Sequence, residues 1–177
     1  MEKERIRESL QRIVGGQNVL WKDVDLAVYE YDAGLGRGKP ELVVFAHDAD
    51  QVAQIVKFLY PEGISYVARG SGTNLSGGTV PLKGGVVIEL SRMDRILEID
   101  LENERALVEP GVYNLTLQNA LAPKGYYYAP DPASQKVSSM GGNLGENAGG
   151  PHCLKYGVTS NHILGAEVVF PNGEKIW

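Results

Sequence analysis

Apolar residues recur at two different spacings along this chain, and the spacing that dominates changes near its middle. Ile6, Leu10, Ile13 and Val14 fall on one stripe of a helix over Lys3–Val14, which Gly15-Gly16 stops. Asp23–Pro40 is turn-rich, has no dominant period and reads as loop. Leu42–Ala46 is an unbroken apolar run of strand length. Asp48 then offers an N-cap with Gln51 in the capping-box position, and Val52, Ile55, Val56 and Leu59 line one face of the helix behind it. Pro61-Glu62-Gly63 closes that helix, and Ile64–Ala68 forms the next strand. Strand, helix and strand within about thirty residues make a βαβ unit, whose crossover is expected to be right-handed. Gly85–Leu90 adds a third strand, so a small parallel sheet is expected in the first half.

Beyond it the pattern turns antiparallel. Ile96–Asp100 and Arg105–Glu109 flank the turn Leu101–Glu104 as a hairpin. Pro110-Gly111 breaks the run, and Asn114 can cap a helix to about Ala122, ended by Pro123 and Gly125. Gly165–Phe170 is a further strand, and Pro171-Asn172-Gly173 has the residues of a type I turn leading into a returning strand, Glu174–Trp177. A hairpin whose second arm has so few residues points to the front part of a longer protein. There is no internal repeat and no low-complexity tract.

Composition narrows the classes. The 177 residues suffice for one ordinary domain or two small subdomains with a real core. A formal net charge of −5, from 17 basic against 22 acidic residues, leaves no footprint for a nucleic-acid backbone. The lone Cys153 rules out an internal disulfide and fits a reducing compartment. The charged start lacks the apolar core of a secretory signal, and no apolar run approaches the ~20 residues of a membrane span. A cytoplasmic protein is expected, with any membrane association coming through a partner.

The candidate chemistry lies in two glycine-rich stretches. The first, "ARGSGTNLSGG" (Ala68–Gly78), follows a strand directly. It reads either as a structural loop with positive φ angles or as an anion cradle of converging N–H groups. The second, "SSMGGNLGENAGG" (Ser138–Gly150), carries one charge, Glu146, and is approached through Pro130-Asp131-Pro132. Long glycine-rich loops lose much entropy on ordering. Two of them beside ordered elements favour one elongated ligand that both enclose. A Rossmann fingerprint would need glycine where Leu75 stands, and a P-loop would need lysine where Gly78 stands. What remains is a diphosphate held by backbone and by small polar groups: Ser71, Thr73, Asn74 and Ser76.

"ARGSGTNLSGG", "VEPG" at Val108–Gly111 and "YYAPDPASQKVSSMGGNLGENAGGPHCLKYG" at Tyr127–Gly157 resemble the FAD-linked oxidase family, from Tyr29-x-x-Asp32 onward. This is the vanillyl-alcohol oxidase and p-cresol methylhydroxylase superfamily, here most similar to FAD-binding subunits of glycolate oxidase and to D-lactate dehydrogenases. The resemblance implies an α+β, two-subdomain FAD-binding fold. Residues 1–38 would form a lead-in, 39–90 the first subdomain and 91–177 an incomplete second, with the cap domain beyond Trp177.

By the same resemblance the first loop embraces the FAD pyrophosphate: Arg69, Gly70, Ser71, Gly72, Thr73, Asn74, Leu75, Ser76, Gly77 and Gly78. Pro130, Asp131, Pro132, Ala133 and Ser134 line the flavin and the rest of the cleft. Gly141, Gly142, Asn143, Gly145, Glu146, Asn147, Ala148, Gly149 and Gly150 do so with them. Tyr156, Gly157 and Val158 continue along the cleft, and Val168 offers its backbone to the adenine. Relatives with a covalent flavin carry a histidine where Thr73 stands, so the FAD is expected to be non-covalent.

The implied reaction is dehydrogenation of a small 2-hydroxy acid to the 2-oxo acid, with electrons passed on to a partner subunit or quinone. Catalytic and metal residues are expected beyond Trp177. A flavin reductase of the cell-wall precursor type and a non-catalytic nucleotide-binding fragment are the alternatives. Neither His152-Cys153, which lacks further ligands, nor Glu146, a lone acid among glycines, is assigned a catalytic or metal role. Arg69 could face phosphate or pair with an acid at the strand end. Tyr126–Tyr128 could stack on the flavin or form a strand entering the core. His47 is expected at a surface turn and His162 beside a strand.

Overall fold

A computed structural model describes residues 2–177. It opens with helix α1 (Glu2–Val14), whose buried stripe is Ile6, Leu10 and Val14. Gly15 ends it at φ 88°, donating its N–H to Gln11 at 2.8 Å. A two-residue strand, β1 (Val19–Leu20), follows, then a helical turn α2 (Asp23–Leu26). Strand β2 (Leu42–Phe45) leads into α3 (Ala49–Leu59). Asp48 caps α3 by accepting the Gln51 N–H at 2.7 Å, and Gln51 reaches back to the His47 N–H at 2.9 Å. That is one residue further than the capping box requires. Strands β3 (Tyr66–Arg69) and β4 (Val86–Glu89) complete a sheet of order β1-β2-β4-β3. It is parallel except for β1, so β4 inserts centrally between the two strands of the βαβ unit.

The two faces of this sheet are covered differently. Leu42, Val44, Val86 and Ile88 pack against α1 and α3. Val43 and Val87 point the other way, onto Leu26 with Leu20, Tyr29, Phe45 and Val67 around them. Apolar residues on both faces are what a buried parallel strand requires. The second face explains why the segment read as loop, Asp23–Pro40, contains α2 and a 3₁₀ turn, Ala27–Tyr29: they carry its cover.

The remaining chain is antiparallel. Strands β5 (Ile96–Asp100) and β6 (Arg105–Val108) pair as a hairpin with an irregularity between Ile96 and Glu98. Helix α4 (Asn114–Leu121) follows, but its N-cap is Tyr113 and not Asn114. Asn114 is fully buried and gives its amide to the Pro130 carbonyl at 3.1 Å, so a tertiary contact takes the side chain expected to cap. Val112, Leu117 and Met140 form a small third cluster. Tyr126–Tyr128 is coil, not strand, with Tyr128 held through main-chain bonds to the Gln118 side chain. Short helices α5 (Met140–Gly145) and α6 (Cys153–Tyr156) come next. His162 ends a 3₁₀ turn, Thr159–His162, and borders no strand. Of the strand expected over Gly165–Phe170 only β7 (Val168–Val169) forms; it pairs with β8 (Lys175–Ile176) across the expected Pro171–Gly173 turn. The fold is α+β.

Candidate functional site

The first glycine segment leaves the end of β3, and the reason it can stay irregular is beneath it. Arg69 is 7% exposed, and one guanidinium nitrogen donates to the Tyr31 carbonyl at 2.9 Å and the Thr79 hydroxyl at 3.4 Å. Its Nε lies 4.0 Å from Glu89, whose carboxyl burial pushes up while the Ser91 N–H and the Arg69 charge pull it back. A Cβ on Gly72 would run into this guanidinium, so only glycine lets the loop fold down over it. Of the two roles open to Arg69, the structure gives the pairing with a buried acid beneath the loop.

Asp32, 5% exposed, is the second brace. One oxygen accepts the Asn74 amide at 2.8 Å and the Gly77 N–H at 2.9 Å; the other accepts the Gly34 N–H at 2.7 Å. Asn74 completes the frame through the Thr79 hydroxyl, 2.9 Å from its side-chain oxygen. These bonds use the interior side of the loop. The N–H groups of Ser71 to Ser76 find no main-chain acceptor among the described residues. Six successive donors are thus left available, as an anion-binding concavity needs.

The second segment is tied to the same sheet edge through a relay of close backbone approaches. Gly111 sits against the carbonyls of Leu90 and Met93, just after β4; a Cβ there would come within 2.5 Å and 2.7 Å of them. Its neighbour Pro110 accepts the Gly141 N–H at 2.8 Å, and Val112 accepts that of Met140 at 2.8 Å. Ser139 caps α5 by accepting the Gly142 N–H at 3.3 Å. That cap and these anchors hold a helix over residues whose own propensity opposes one.

The two segments meet. A Cβ on Gly70 would overlap the Ser139 hydroxyl, and one on Gly78 would reach 2.5 Å from a Glu146 carboxylate oxygen. Ser76 donates its hydroxyl to that carboxylate, with contacts of 2.7 and 2.8 Å. Pro130–Ser134 joins them: Gly150 lies so close to the Asp131 carbonyl that no side chain would fit, and Asp131 accepts the His152 N–H at 2.9 Å. The concavities beside Tyr60 and Phe170 and beside Ser91 and Tyr113 involve neither segment.

Polar side chains of the two segments divide into two groups. Asn74, Ser76 and Asn147 are engaged within the protein, Asn147 by the Ser160 N–H at 3.0 Å. The amide nitrogen of Asn143, a residue 2% exposed, and the Ser138 hydroxyl are buried without a partner. Gly149 and Gly150 pack on Cys153, whose sulfur accepts the Gly150 N–H at 2.9 Å. Tyr156 is exposed, edge-on to Tyr127 with ring centres 6.1 Å apart; Tyr127 and the ammonium of Lys155 hold its hydroxyl below the ordinary tyrosine range. Val168 lies apart, in β7 against α3. Among the described residues no cluster of His, Cys, Asp or Glu could hold a metal, and no helix is long and apolar enough to cross a membrane.

Asp32 carries the geometry and was not expected as a site residue. Its signal in the sequence is an aspartate two residues before a glycine, the mark of an Asx turn.

Residues 40–177 match the model of a family described as FAD binding domain. The chain is 42% identical over 172 residues to "Glycolate oxidase subunit GlcD" of Bacillus subtilis (strain 168), covering 97% of this chain and 37% of that protein. It is 36% identical over 150 residues to "D-lactate dehydrogenase" of Anaerostipes hadrus, covering 85% and 30%. The structure of p-cresol methylhydroxylase with substrate bound superposes with a TM-score of 0.83 at 24% identity, over 99% of this chain and 35% of that one. The chain therefore spans about a third of the relatives it matches. It belongs to the FAD binding domain family, and FAD is its cofactor.

Proposed function

We propose that this chain is the FAD-binding part of a flavin-dependent oxidoreductase that converts a small 2-hydroxy acid, of the glycolate or D-lactate type, into the 2-oxo acid. The observation that carries the reading is the junction of the two glycine segments at Ser76–Glu146 and Gly70–Ser139. The residues present fit FAD. Unshared N–H groups of Ser71–Ser76 suit a diphosphate, and glycines whose Cβ positions are already taken let two stretches of backbone close from both sides. The buried, unpartnered Asn143 amide adds a donor.

In this reading the first loop holds the diphosphate, while Pro130–Ser134, Gly141–Gly150 and Tyr156–Val158 orient the flavin. The backbone of Val168 would meet the adenine. Bound there, FAD supplies the two-electron acceptor for the hydroxyl-bearing carbon. Thr73 stands at the loop position of covalent attachment and offers no imidazole, so the FAD is held non-covalently. Residues 39–90 and 91–177 are two subdomains of this site; residues 1–38, expected to lead in, are built into the first, supplying β1 and cover for both faces of its sheet. The names of the relatives support the substrate class, and a relative named as a subunit supports an electron-accepting partner subunit.

The test is anaerobic mixing of the complete flavoprotein with glycolate or D-lactate. Loss of the oxidised-flavin absorbance is the expected result. Bleaching by a reduced nicotinamide alone would overturn the substrate class and leave a flavin reductase.

A further inference from the structure

The family model begins at residue 40, yet the first glycine loop is shaped from in front of that boundary. Segment 31–38 folds back on itself through the Tyr31–Arg37 bridge and lies along residues 69–82. Six contacts tie the two. Tyr31 accepts from Arg69 at 2.9 Å, and Ala33 donates to the Asn74 carbonyl at 3.0 Å. Asp32 accepts from the Asn74 amide and the Gly77 N–H at 2.8 and 2.9 Å. Gly34 is so close to Leu75 that a Cβ would come within 2.8 Å of its carbonyl, and Gly38 approaches the Pro81 carbonyl closer still.

We propose that Asp32 is a positioning residue for the cofactor. Its buried carboxylate fixes the interior side of the loop so that the N–H groups of Ser71–Ser76 stand ready for a diphosphate. Gly77 sits at φ 81°, and Asp32 fixes that turn by accepting its N–H. A carboxylate suits this place because it accepts several N–H bonds at once and donates none. Charge-assisted bonds of this kind are stronger than neutral ones. The segment preceding the FAD binding domain is thus one wall of its site, touching the loop from behind and not the ligand.

This inference rests on the flavin reading, and the experiment separates the two. FAD, ADP and riboflavin are titrated into the apoprotein, wild type and Asp32→Ala, following flavin fluorescence or, for ADP, heat. Hydrogen exchange is read over residues 70–78. In the variant the loop should visit its working shape a fraction of the time, and apparent affinity falls by that fraction, on the order of tenfold or more. The loss should appear for FAD and ADP, which carry a diphosphate, and not for riboflavin, with faster exchange at Gly77. A merely destabilised fold would weaken all three ligands alike and would overturn the proposal. So would unchanged FAD and ADP affinities. Should Asp32→Ala fail to fold, Gly34→Ala decides: it presses on Leu75 from the same side and touches no ligand. Selective loss of FAD and ADP supports the clamp, and unaltered binding removes it. A wild-type protein that binds neither FAD nor ADP defeats the flavin reading itself.

Discussion

The contact between Gly70 and Ser139 can be tested by a double-mutant cycle, because its energetic parts have opposite signs. Replacing Gly70 by alanine removes freedom from the unfolded chain, and the backbone angle at Gly70 is not in the left-handed region. That alone would stabilise by about 0.4–1 kcal/mol. Against it, the new methyl overlaps the Ser139 hydroxyl and stands 3.3 Å from its Cβ. The hydroxyl must rotate away, which ends its cap on the Gly142 N–H at the cost of about 0.5–2 kcal/mol. Ser139 is 3% exposed, so the displaced hydroxyl finds little water, adding about 1–3 kcal/mol for an unpaired buried group.

Gly70→Ala should therefore destabilise by roughly 1–3 kcal/mol net. Ser139→Ala should cost about 1 kcal/mol through the cap alone. In the Ser139→Ala background there is no hydroxyl to displace, and Gly70→Ala should be close to neutral or slightly stabilising. The coupling is then about 1–4 kcal/mol, well above the few tenths expected of separated sites. Urea midpoints for the four proteins measure it. Additive effects would refute the reasoning, since they would mean that the two glycine segments do not touch.

Gly78→Val places a branched side chain where Glu146 now sits, breaking the exposed Ser76–Glu146 contact while leaving the core intact; the protein should fold normally by circular dichroism yet purify colourless, and retained stoichiometric flavin would count against the cradle. Two buried carboxylates should give opposite pH dependences. Glu109, held low first by the hydrogen bonds from the Arg95 side chain, contributes stability that is present above about pH 4.3 and lost as pH falls through its depressed value; Glu109→Gln should remove that acid-side slope. Glu89, pushed up by burial, contributes stability that is complete below about pH 4.3 and lost as pH rises through its folded value; Glu89→Gln should flatten the slope above that point and not below it. Slopes of urea midpoint against pH that match wild type in either variant would discard the corresponding assignment.

How far the sequence could be read depended on whether a residue's partners are near it in the chain. The cap of α3, the Gly15 stop and the β5–β6 turn are settled within a few residues, and all three were legible. α5 was not. Met140–Gly145 contains three glycines and becomes helical because Pro110, Val112 and the Ser139 cap hold its start, two of them contacts from about thirty residues away. Asp32 looks locally like an Asx turn, and that bond to Gly34 exists. Its consequential partners, Asn74 and Gly77, lie 42 and 45 residues on and leave no local trace. Asn114 shows the reverse error: the local rule assigned it a cap, and burial against Pro130 claimed it. The glycine segments were legible as a pair because each is unusual in composition, although their meeting depends on Gly111, a single residue between two carbonyls.

Glu146 is the odd charge at this junction, since a diphosphate and a carboxylate repel. Its two oxygens accept the Ser76 hydroxyl at the mouth of the first loop, with Gly78 beneath. If the Ser71–Ser76 donors take a diphosphate, that exposed carboxylate faces it across the same opening. Glu146→Gln keeps an oxygen for the Ser76 hydroxyl and so preserves the link between segments, while the negative charge is gone. FAD affinity should then rise several-fold at low ionic strength, with the gain shrinking toward nothing in molar salt as the Debye length drops to about 3 Å. Riboflavin, without phosphates, should gain nothing at any salt concentration. Fluorescence titration across a salt series tests all three expectations. An affinity that is unchanged at low salt, or a gain that riboflavin shares, would place the diphosphate away from the Ser76–Glu146 contact and move the anion site elsewhere along the loop.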